Sequence, residues 1–224
     1  MLPDTFQRLD FDKYDYVFQN SIMCMDKFHI DLMYNILLQV MPTYNGEALA
    51  LEIGSYHGAS SLAFLMVKAQ EDFDYHICDI EVPQPMHRLI YEFNSTKLKT
   101  LMPPTVHILS SLVLLKTMQK INLDPDIIFI DGDHSKANVT KELEAIKQFK
   151  YPPSLILAHD TNSENVGFPE CDGPPLIKQY CLDNNYTIFE DKKARDGMRT
   201  DRGFLAASND TNIVSILETL FSKL

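Results

Sequence analysis

The sequence predicts an α/β fold in which a seven-stranded sheet is doubly wound, with helices on both of its faces. Short apolar segments alternate with segments of helical period along most of the chain. Strands that are apolar throughout are typical of parallel sheets covered on both sides, and the right-handed crossover rule makes such a sheet doubly wound. The 224 residues, 45% of them hydrophobic and 23% charged, are enough to bury one full core.

The helical segments are recognised by apolar spacing and by the residues that punctuate them. From residue 26 to residue 41 apolar side chains recur at helical spacing, and the pattern stops before Pro42 and the turn at residues 45–46. This spacing predicts an amphipathic leading helix. Further helices are predicted at residues 59–70, up to about residue 101, at 112–120, at 136–149 and after Pro175.

Seven strands are predicted between these helices, at residues 47–54, 75–80, 106–111, 126–131, 154–160, 186–191 and 203–208. We therefore expect a single domain over residues 1–224, with an N-terminal helical segment (1–45), an α/β core (46–208) and a C-terminal helix (209–224). The last helix has a candidate cap at Asn209, Asp210 or Thr211. Its apolar stripe predicts docking on the sheet or on a partner, which includes a second copy of the chain.

The composition disfavours several classes of function. A formal net charge of −11 and a pI near 5.0 disfavour nucleic acid as a partner, because such binding releases counterions from a basic surface. No apolar stretch approaches the roughly 18 residues that a membrane span needs, and the N-terminus does not resemble a signal peptide. The four cysteines include no CxxC pair, so we interpret them as core residues or surface thiols of a reducing, cytoplasmic protein.

A glycine-containing turn follows the first predicted strand, in the segment LEIGSYHGASS. In open α/β sheets ligands bind beyond the carboxyl ends of the strands, so this turn is the first part of a predicted cofactor site. Its candidate cofactor-binding residues are Glu52, Gly54, Ser55, Gly58 and Ser60. The dinucleotide fingerprint fails here because a tyrosine and an alanine occupy its second and third glycine positions, and no Gly-Lys-Ser/Thr ending completes a phosphate loop.

Two further strand ends contribute polar side chains to the same edge. Asp79 ends the second strand, where an acid that accepts hydrogen bonds from ribose hydroxyls is expected, although an ordinary loop carboxylate or a helix cap is the alternative. Ser110 and Ser111 follow the third strand. They are candidates for the edge of an adenine ring, or they simply cap the next helix. We include Ser111 among the predicted cofactor-binding residues.

The segments LEIGSYHGASS, CDI, DIIFIDGDHS and LILAHDT together resemble the class I S-adenosylmethionine-dependent methyltransferases. More narrowly, they are similar to the family that includes the cephalosporin-hydroxylase-named proteins, and they share features with the cation-dependent O-methyltransferases. The resemblance covers roughly residues 47–161, and FIDGDH is its most specific part. It implies a mostly parallel seven-stranded sheet whose last strand is antiparallel, S-adenosylmethionine over the first strands, and in several members a magnesium ion beside the methyl acceptor.

The resemblance also implies roles for the acidic strand ends. In the cation-dependent relatives an acid at the position of Asp131 and an Asp-Asn pair at positions 159–160 hold the metal. Here that pair is His159-Asp160, a departure, because histidine is a poorer magnesium ligand than carboxylate. We expect Asp131 and Asp160 as metal ligands and Asp131 also as a cofactor-binding and catalytic residue. His159 is an optional ligand that would favour manganese, iron or zinc, and the alternative is hydrogen bonding without any metal.

His134 is the predicted catalytic base. It stands where the cation-dependent relatives carry a lysine, and an imidazole titrates near neutral pH. The alternative is a solvated or capping histidine. Two polar segments, residues 161–175 and 191–202, are long for connections in a compact domain and are predicted to select the acceptor, with a flexible charged hairpin as the alternative for the second.

The predicted function is S-adenosylmethionine-dependent methylation of oxygen on a small molecule such as a sugar, a phenol or a natural-product hydroxyl. An alternative is a catalytically silent protein that keeps this fold as a scaffold or nucleotide-binding partner. A nicotinamide-dependent oxidoreductase is a further alternative, disfavoured by the missing glycines.

Overall fold

The computed structural model describes residues 6–18, 25–96, 102–161, 172–192 and 203–224. Its strands are β1 (Leu49–Ile53), β2 (Asp74–Asp79), β3 (Thr105–Ile108), β4 (Ile127–Ile130), β5 (Leu155–His159), β6 (Thr187–Asp191) and β7 (Phe204–Ser208). They form one sheet in the order β3-β2-β1-β4-β5-β7-β6. β7 is antiparallel to both of its neighbours, and the pairs among β1 to β5 are parallel. The predicted seven-stranded, mostly parallel sheet is confirmed.

Helices cover both faces of this sheet. In the described residues the α-helices are α1 (Lys27–Val40), α2 (Ala59–Lys68), α3 (Gln84–Thr96), α4 (Ser111–Lys120), α5 (Lys136–Ile146), α6 (Pro175–Asp183) and α7 (Thr211–Phe221). On one face α1 packs against α2 and α7, and on the other α5 packs against α4 and α6. Alternate residues of the strands enter two separate apolar cores, one beneath each layer of helices, as a doubly wound fold requires.

The termini differ in part from the sequence-based expectation. A 3₁₀ helix at Phe11–Phe18 packs against α3, and the sequence did not predict it. A second 3₁₀ helix, Met41–Tyr44, extends α1. The C-terminal helix docks on the sheet through β6 and β7, and Asp210 is its cap, accepting hydrogen bonds from the N–H groups of Asn212 and Ile213. No helix within the described ranges is long and apolar enough to cross a membrane.

Two of the four cysteines lie in the described part of the chain. Cys78 and Cys181 are buried free thiols, and burial raises the pKa of each to about 12. Both belong to the apolar core beneath α4, α5 and α6. Their environment is that of core residues, as the sequence predicted, while Cys24 and Cys171 lie outside the described residues.

The ends of β1 and β4 approach each other closely because of one glycine. Gly54 follows β1 with φ of +84°, a left-handed conformation that side chains rarely adopt. A Cβ atom there would lie 2.2 Å from the backbone oxygen of Asp131, which follows β4. The absence of a side chain at Gly54 therefore brings the glycine turn and the acidic strand end into one site.

Candidate functional site

A cavity of about 450 Å³ opens at the carboxyl ends of β1, β2, β3 and β4. Its volume falls in the range of ordinary ligand pockets, roughly 300 to 1,000 Å³. The predicted site residues that line it are Gly54, Ser55, Ser60, Asp79, Ser111, Asp131 and His134. The remaining four, Glu52, Gly58, His159 and Asp160, do not line it.

Asp79 organises the glycine turn. Its Oδ2 atom accepts hydrogen bonds from the N–H groups of Ser55 and Tyr56, both at 2.8 Å. Its Oδ1 atom accepts one from the N–H of Ile80 at 2.7 Å. The carboxylate therefore fixes the turn on one wall of the cavity, and these contacts engage both of its oxygens.

Glu52 lies beneath the turn rather than in the cavity. Its side chain is fully buried, and it accepts hydrogen bonds from the hydroxyls of Ser60 at 2.5 Å, Ser61 at 2.6 Å, and Tyr75. Burial raises the pKa of Glu52 to about 7, although the three hydroxyls act in the opposite direction. The structure gives this predicted cofactor residue a supporting position, since it ties β1 to β2 and to the start of α2.

Gly58 has a similar supporting position. Its φ is +94°, and a Cβ atom there would lie 2.7 Å from Sδ of Met86 and 2.9 Å from a methyl carbon of Leu89. Both of these residues belong to α3. The second glycine of the turn thus lets α3 pack against the start of α2, away from the cavity.

Two walls of the cavity are formed by apolar or aromatic side chains. Ile80, which is 77% exposed, and Leu109 lie beside Asp79 and Ser110 along the lining. The rings of Tyr56 and His57 stack with centroids 4.0 Å apart at an interplanar angle of 7°. His57, which the sequence placed in the turn, lines the cavity. Apolar side chains of this kind suit the faces of a flat heterocycle.

An acid–histidine cluster adjoins the cavity, formed by Asp131, His134, His159 and Asp160. His134 lies between the two acids, with Nε2 3.2 Å from Oδ1 of Asp131 and Nδ1 3.4 Å from Oδ2 of Asp160. Nδ1 of His159 is 3.3 Å from Oδ1 of Asp160 and 3.7 Å from Oδ1 of Asp131. Asp160 adopts φ of +56°, an uncommon conformation for a residue with a side chain. The ends of β4 and β5 thus bring these four side chains together, as the sequence implied.

The family of the chain follows from a comparison with known proteins. Residues 51–161, which include the glycine turn, Asp79 and the acid–histidine cluster, match a family described as a methyltransferase domain. These residues form a methyltransferase domain, as the resemblance to the class I methyltransferases implied. No curated protein matches it.

Solved methyltransferases share the fold at low sequence identity. An O-methyltransferase from Bacillus cereus, in complex with S-adenosylhomocysteine, aligns with a TM-score of 0.62 and 16% identity over 92% of this chain and 94% of that one. TomG from Streptomyces achromogenes, an O-methyltransferase involved in tomaymycin synthesis, was solved in complex with S-adenosylmethionine. It aligns with a TM-score of 0.63 and 12% identity, over 92% of each chain. A protein from Staphylococcus aureus that is assigned as a caffeoyl-CoA O-methyltransferase aligns with a TM-score of 0.57 and 16% identity, over 91% of this chain and 94% of that one. At these identities the likeness shows the fold alone.

In this methyltransferase domain the cluster holds Asp131 as an ionised carboxylate. Burial acts to raise the pKa of Asp131, but the neighbouring His159 and His134 lower it to about 2. Asp131 is therefore a charged acceptor at any physiological pH. It is the one residue of the cluster that combines a place in the cavity lining with contacts to both histidines.

The position of His134 limits its protonation states. A neutral imidazole has one N–H group, so it can donate to only one of the two carboxylates that face its nitrogens. Donation to both requires the protonated ring, which has no lone pair for accepting a further proton. His134 can serve as a base only when one of its nitrogens is released from its carboxylate.

The donor atoms of the cluster fit a divalent cation. One ligand atom from each of Asp131, His134 and Asp160 lies within 4.8 Å of the others. A mixed set of imidazole and carboxylate ligands suits manganese, iron or zinc better than magnesium. The sequence placed His159 rather than His134 beside the two acids as the third ligand, whereas this grouping contains His134.

Glu142 is a cavity residue that the sequence did not single out. It lies on α5, is 1% exposed, and accepts hydrogen bonds through Oε1 from Ser111 at 2.5 Å and Asn138 at 2.9 Å. Burial raises its pKa. Its Oε2 atom has no hydrogen-bond partner among the described residues. The helix that carries Glu142 contains other charged residues, so the sequence does not indicate that this one is buried.

Proposed function

We propose that this chain transfers a methyl group from S-adenosylmethionine to an oxygen atom of a small molecule. The observation that carries the proposal is the arrangement of the cavity. An ordered glycine turn, an acid ending β2 and apolar walls lie along one side of it, and the acid–histidine cluster adjoins the other.

The charge of the lining favours a cationic cofactor. Four carboxylates line the cavity, those of Asp79, Asp131, Asp133 and Glu142. Among the described lining residues none is a lysine or an arginine. A sulfonium ion is attracted to such a surface, whereas the pyrophosphate of a nicotinamide dinucleotide is repelled by it. The lining therefore supports S-adenosylmethionine over the nicotinamide alternative.

The residues of the turn and the next strand ends would hold the nucleoside. Asp79 lines the cavity and would accept hydrogen bonds from the ribose hydroxyls in addition to those from the turn. Ile80 and Leu109 would supply apolar contact for the base, and Ser111, which donates a hydrogen bond to Glu142, also lines the cavity. The cofactor itself supplies the reactive methyl group.

A divalent cation would be held by the carboxylates of Asp131 and Asp160, and His134 would stay outside its ligand set. When bound there, the cation would lower the pKa of an acceptor hydroxyl and orient its oxygen. The chain's own contribution is the pair of carboxylates at adjacent strand ends.

His134 is the base that we infer for the acceptor proton. In the metal-free arrangement both of its nitrogens face carboxylates. Engagement of Asp131 or Asp160 by a cation or by the acceptor would release one nitrogen, whose lone pair could then take the proton. The oxygen would lose this proton to His134 as it gains the methyl group. Residues 161–175 and 191–202 are proposed to select the acceptor, and 162–171 and 193–202 of these lie outside the described residues.

Calorimetry tests the cofactor. The protein is titrated separately with S-adenosylmethionine, S-adenosylhomocysteine and NADH, and we expect binding of the first two only. Binding of NADH alone would replace the proposal with an oxidoreductase. Binding of none of the three would favour a scaffold.

A turnover assay tests the chemistry. Candidate sugars, phenols and other hydroxyl compounds are screened with isotopically labelled S-adenosylmethionine, before and after chelation of divalent cations. We expect chelation and Asp160→Asn each to reduce turnover at least tenfold, while Asp183→Asn, which alters an exposed carboxylate on α6, leaves it unchanged. Equal turnover in all four samples would leave only a metal-free mechanism, and transfer to nitrogen or carbon instead of oxygen would overturn the proposed acceptor class.

A further inference from the structure

A second group of ionisable side chains lies at the N-terminal end of α1. It shares His159 with the acid–histidine cluster, and the proposed function gives its other members no role. We call it the helix–strand cluster: Asp26, the cap of α1; His29, in its first turn; His159, the last residue of β5; and Asp191, the last residue of β6. The sheet sets its geometry, because His159 and Asp191 both pair with Phe204 on β7, which lies between their strands. His29 stacks on the ring of Phe204 with centroids 5.5 Å apart, and this stacking brings it close to both His159 and Asp191.

The cluster is buried, and several of its nitrogen atoms have no aligned hydrogen bond. His29 and His159 are each 1% exposed. Nδ1 of His29 lies 2.7 Å from Oδ2 of Asp26, but the contact is off the direction of a ring N–H, and Nε2 of His159 has no hydrogen-bond partner among the described residues. A buried polar atom without a partner destabilises the fold. This arrangement calls for a ligand that can reach both imidazoles.

A proton on His29 is the competing occupant. Asp191 and Asp26 raise the pKa of His29 to about 9 against the effect of burial, which lowers it. A protonated His29 would offset one of the two negative charges of Asp26 and Asp191. It would still leave Nε2 of His159 without an acceptor or donor, so a proton satisfies only part of the cluster.

Each imidazole has a carboxylate at its other nitrogen, as metal-ligating histidines usually do. Nε2 of His29 lies 3.4 Å from Oδ2 of Asp191, which leaves Nδ1 on the side of Asp26. Nδ1 of His159 lies 3.3 Å from Oδ1 of Asp160, which leaves Nε2 on the opposite side of the ring. Oδ1 of Asp26 accepts the N–H of His29 at 2.8 Å, so its Oδ2 is the oxygen available to a ligand.

We propose that Asp26, His29 and His159 bind a divalent transition-metal ion, separate from the cation site of Asp131 and Asp160. One ligand atom from each of the three lies within 4.8 Å of the others. Two imidazoles and one carboxylate favour zinc, iron, cobalt or manganese over magnesium or calcium. The ion would join the start of α1 to the end of β5, next to Met25 in the cavity wall. This proposal does not rest on the proposed function.

The test counts metal sites in the full chain. Metal-stripped protein is titrated with Co²⁺, followed by its visible absorption and by calorimetry. Asp26→Asn is the first variant, because asparagine caps a helix as well as aspartate does and the fold should persist. We expect it, and His29→Gln, to weaken one Co²⁺ site at least tenfold. The matched control is His76→Gln, which alters a half-buried histidine on β2 and should bind Co²⁺ as the unaltered chain does.

Asp131→Asn separates the two sites. It removes a carboxylate ligand from the Asp131–Asp160 site and should leave the second site intact. Unaltered Co²⁺ binding in Asp26→Asn and His29→Gln would overturn the proposal, as would loss of all binding in Asp131→Asn or no binding by the unaltered chain. An anomalous-scattering peak between Asp26, His29 and His159 in zinc-soaked crystals would support it directly, and a peak at Asp131 and Asp160 alone would refute it.

Discussion

Replacing Glu52 with glutamine should change how the stability of the fold depends on pH. The carboxyl is fully buried beneath the glycine turn, and burial raises its pKa from the ordinary value near 4.5 to about 7. Between these two values the folded protein keeps a proton that the unfolded chain has released. The unfolded state therefore binds fewer protons, and the free energy of unfolding falls as pH rises through this window.

The magnitude follows from the size of the change in pKa. At about 1.4 kcal/mol for each pKa unit, a pKa raised from 4.5 to about 7 corresponds to a loss of about 3 kcal/mol between pH 4.5 and pH 8. Glutamine has nearly the same shape and does not ionise. The stability of Glu52→Gln relative to the unaltered chain should therefore rise by about 3 kcal/mol over the same interval.

Urea unfolding of the cofactor-free protein measures this difference at several pH values. Any effect of the lost carboxylate on the hydroxyls of Ser60, Ser61 and Tyr75 adds a constant offset and does not alter the slope. Glu47→Gln is the control, because Glu47 is exposed and its replacement should give a flat difference. A flat difference for Glu52→Gln as well would refute the reasoning.

Three further changes test other parts of the site and the fold. Gly54→Ala should lower the free energy of unfolding, measured in urea, by at least about 2 kcal/mol more than Gly46→Ala does. Both glycines have positive φ, but only a Cβ atom at residue 54 would lie 2.2 Å from a backbone oxygen. Equal losses of stability in the two variants would contradict the predicted clash. Asp79→Asn should weaken S-adenosylhomocysteine binding at least tenfold in calorimetry, because two loop N–H groups lose their shared carboxylate oxygen; an affinity equal to that of the control Asp74→Asn would count against this role. Asp210→Ala should lower the free energy of unfolding by about 1 kcal/mol and Asp210→Asn by much less, because the latter keeps the cap of α7; the same loss in both would rule out a capping effect.

The strand ends of the site could be predicted because the strands that carry them are parallel. Apolar segments ending in Asp79, Asp131 and Asp160 indicate parallel strands, and parallel strands present their carboxyl ends at one edge. Asp131 and Asp160 come together because β4 and β5 are neighbours. The supporting contacts of Asp79 with the turn depend on loop conformation, which the pattern of residues does not specify.

The position of Glu52 could not be predicted for a different reason. All five residues of β1 are buried, so the strand has no alternation of polar and apolar residues that would assign each side chain to a face. A glutamate near the end of such a strand points either into the ligand cavity or into the layer beneath α2. The hydroxyls of Ser60, Ser61 and Tyr75 make the second position stable, and they come from two other elements, α2 and β2.

The helix–strand cluster could not be predicted from the sequence because its helix residues and its strand residues are far apart along the chain. Only the insertion of the antiparallel β7 between β5 and β6 places His159 and Asp191 on either side of Phe204, beneath His29. Glu142 was missed because helical spacing predicts an exposed glutamate, whereas packing of α5 against α4 buries it beside Ser111.

The hydrogen bonds that the Asp79 carboxylate accepts from backbone N–H groups affect how fast a cofactor can associate. The N–H groups of Ser55, Tyr56 and Ile80 are already engaged before any ligand arrives. A ligand entering this side of the cavity has little loop entropy to remove, so encounter rather than rearrangement of the turn should govern its arrival. Stopped-flow traces of cofactor binding should therefore show one phase whose rate rises linearly with ligand concentration.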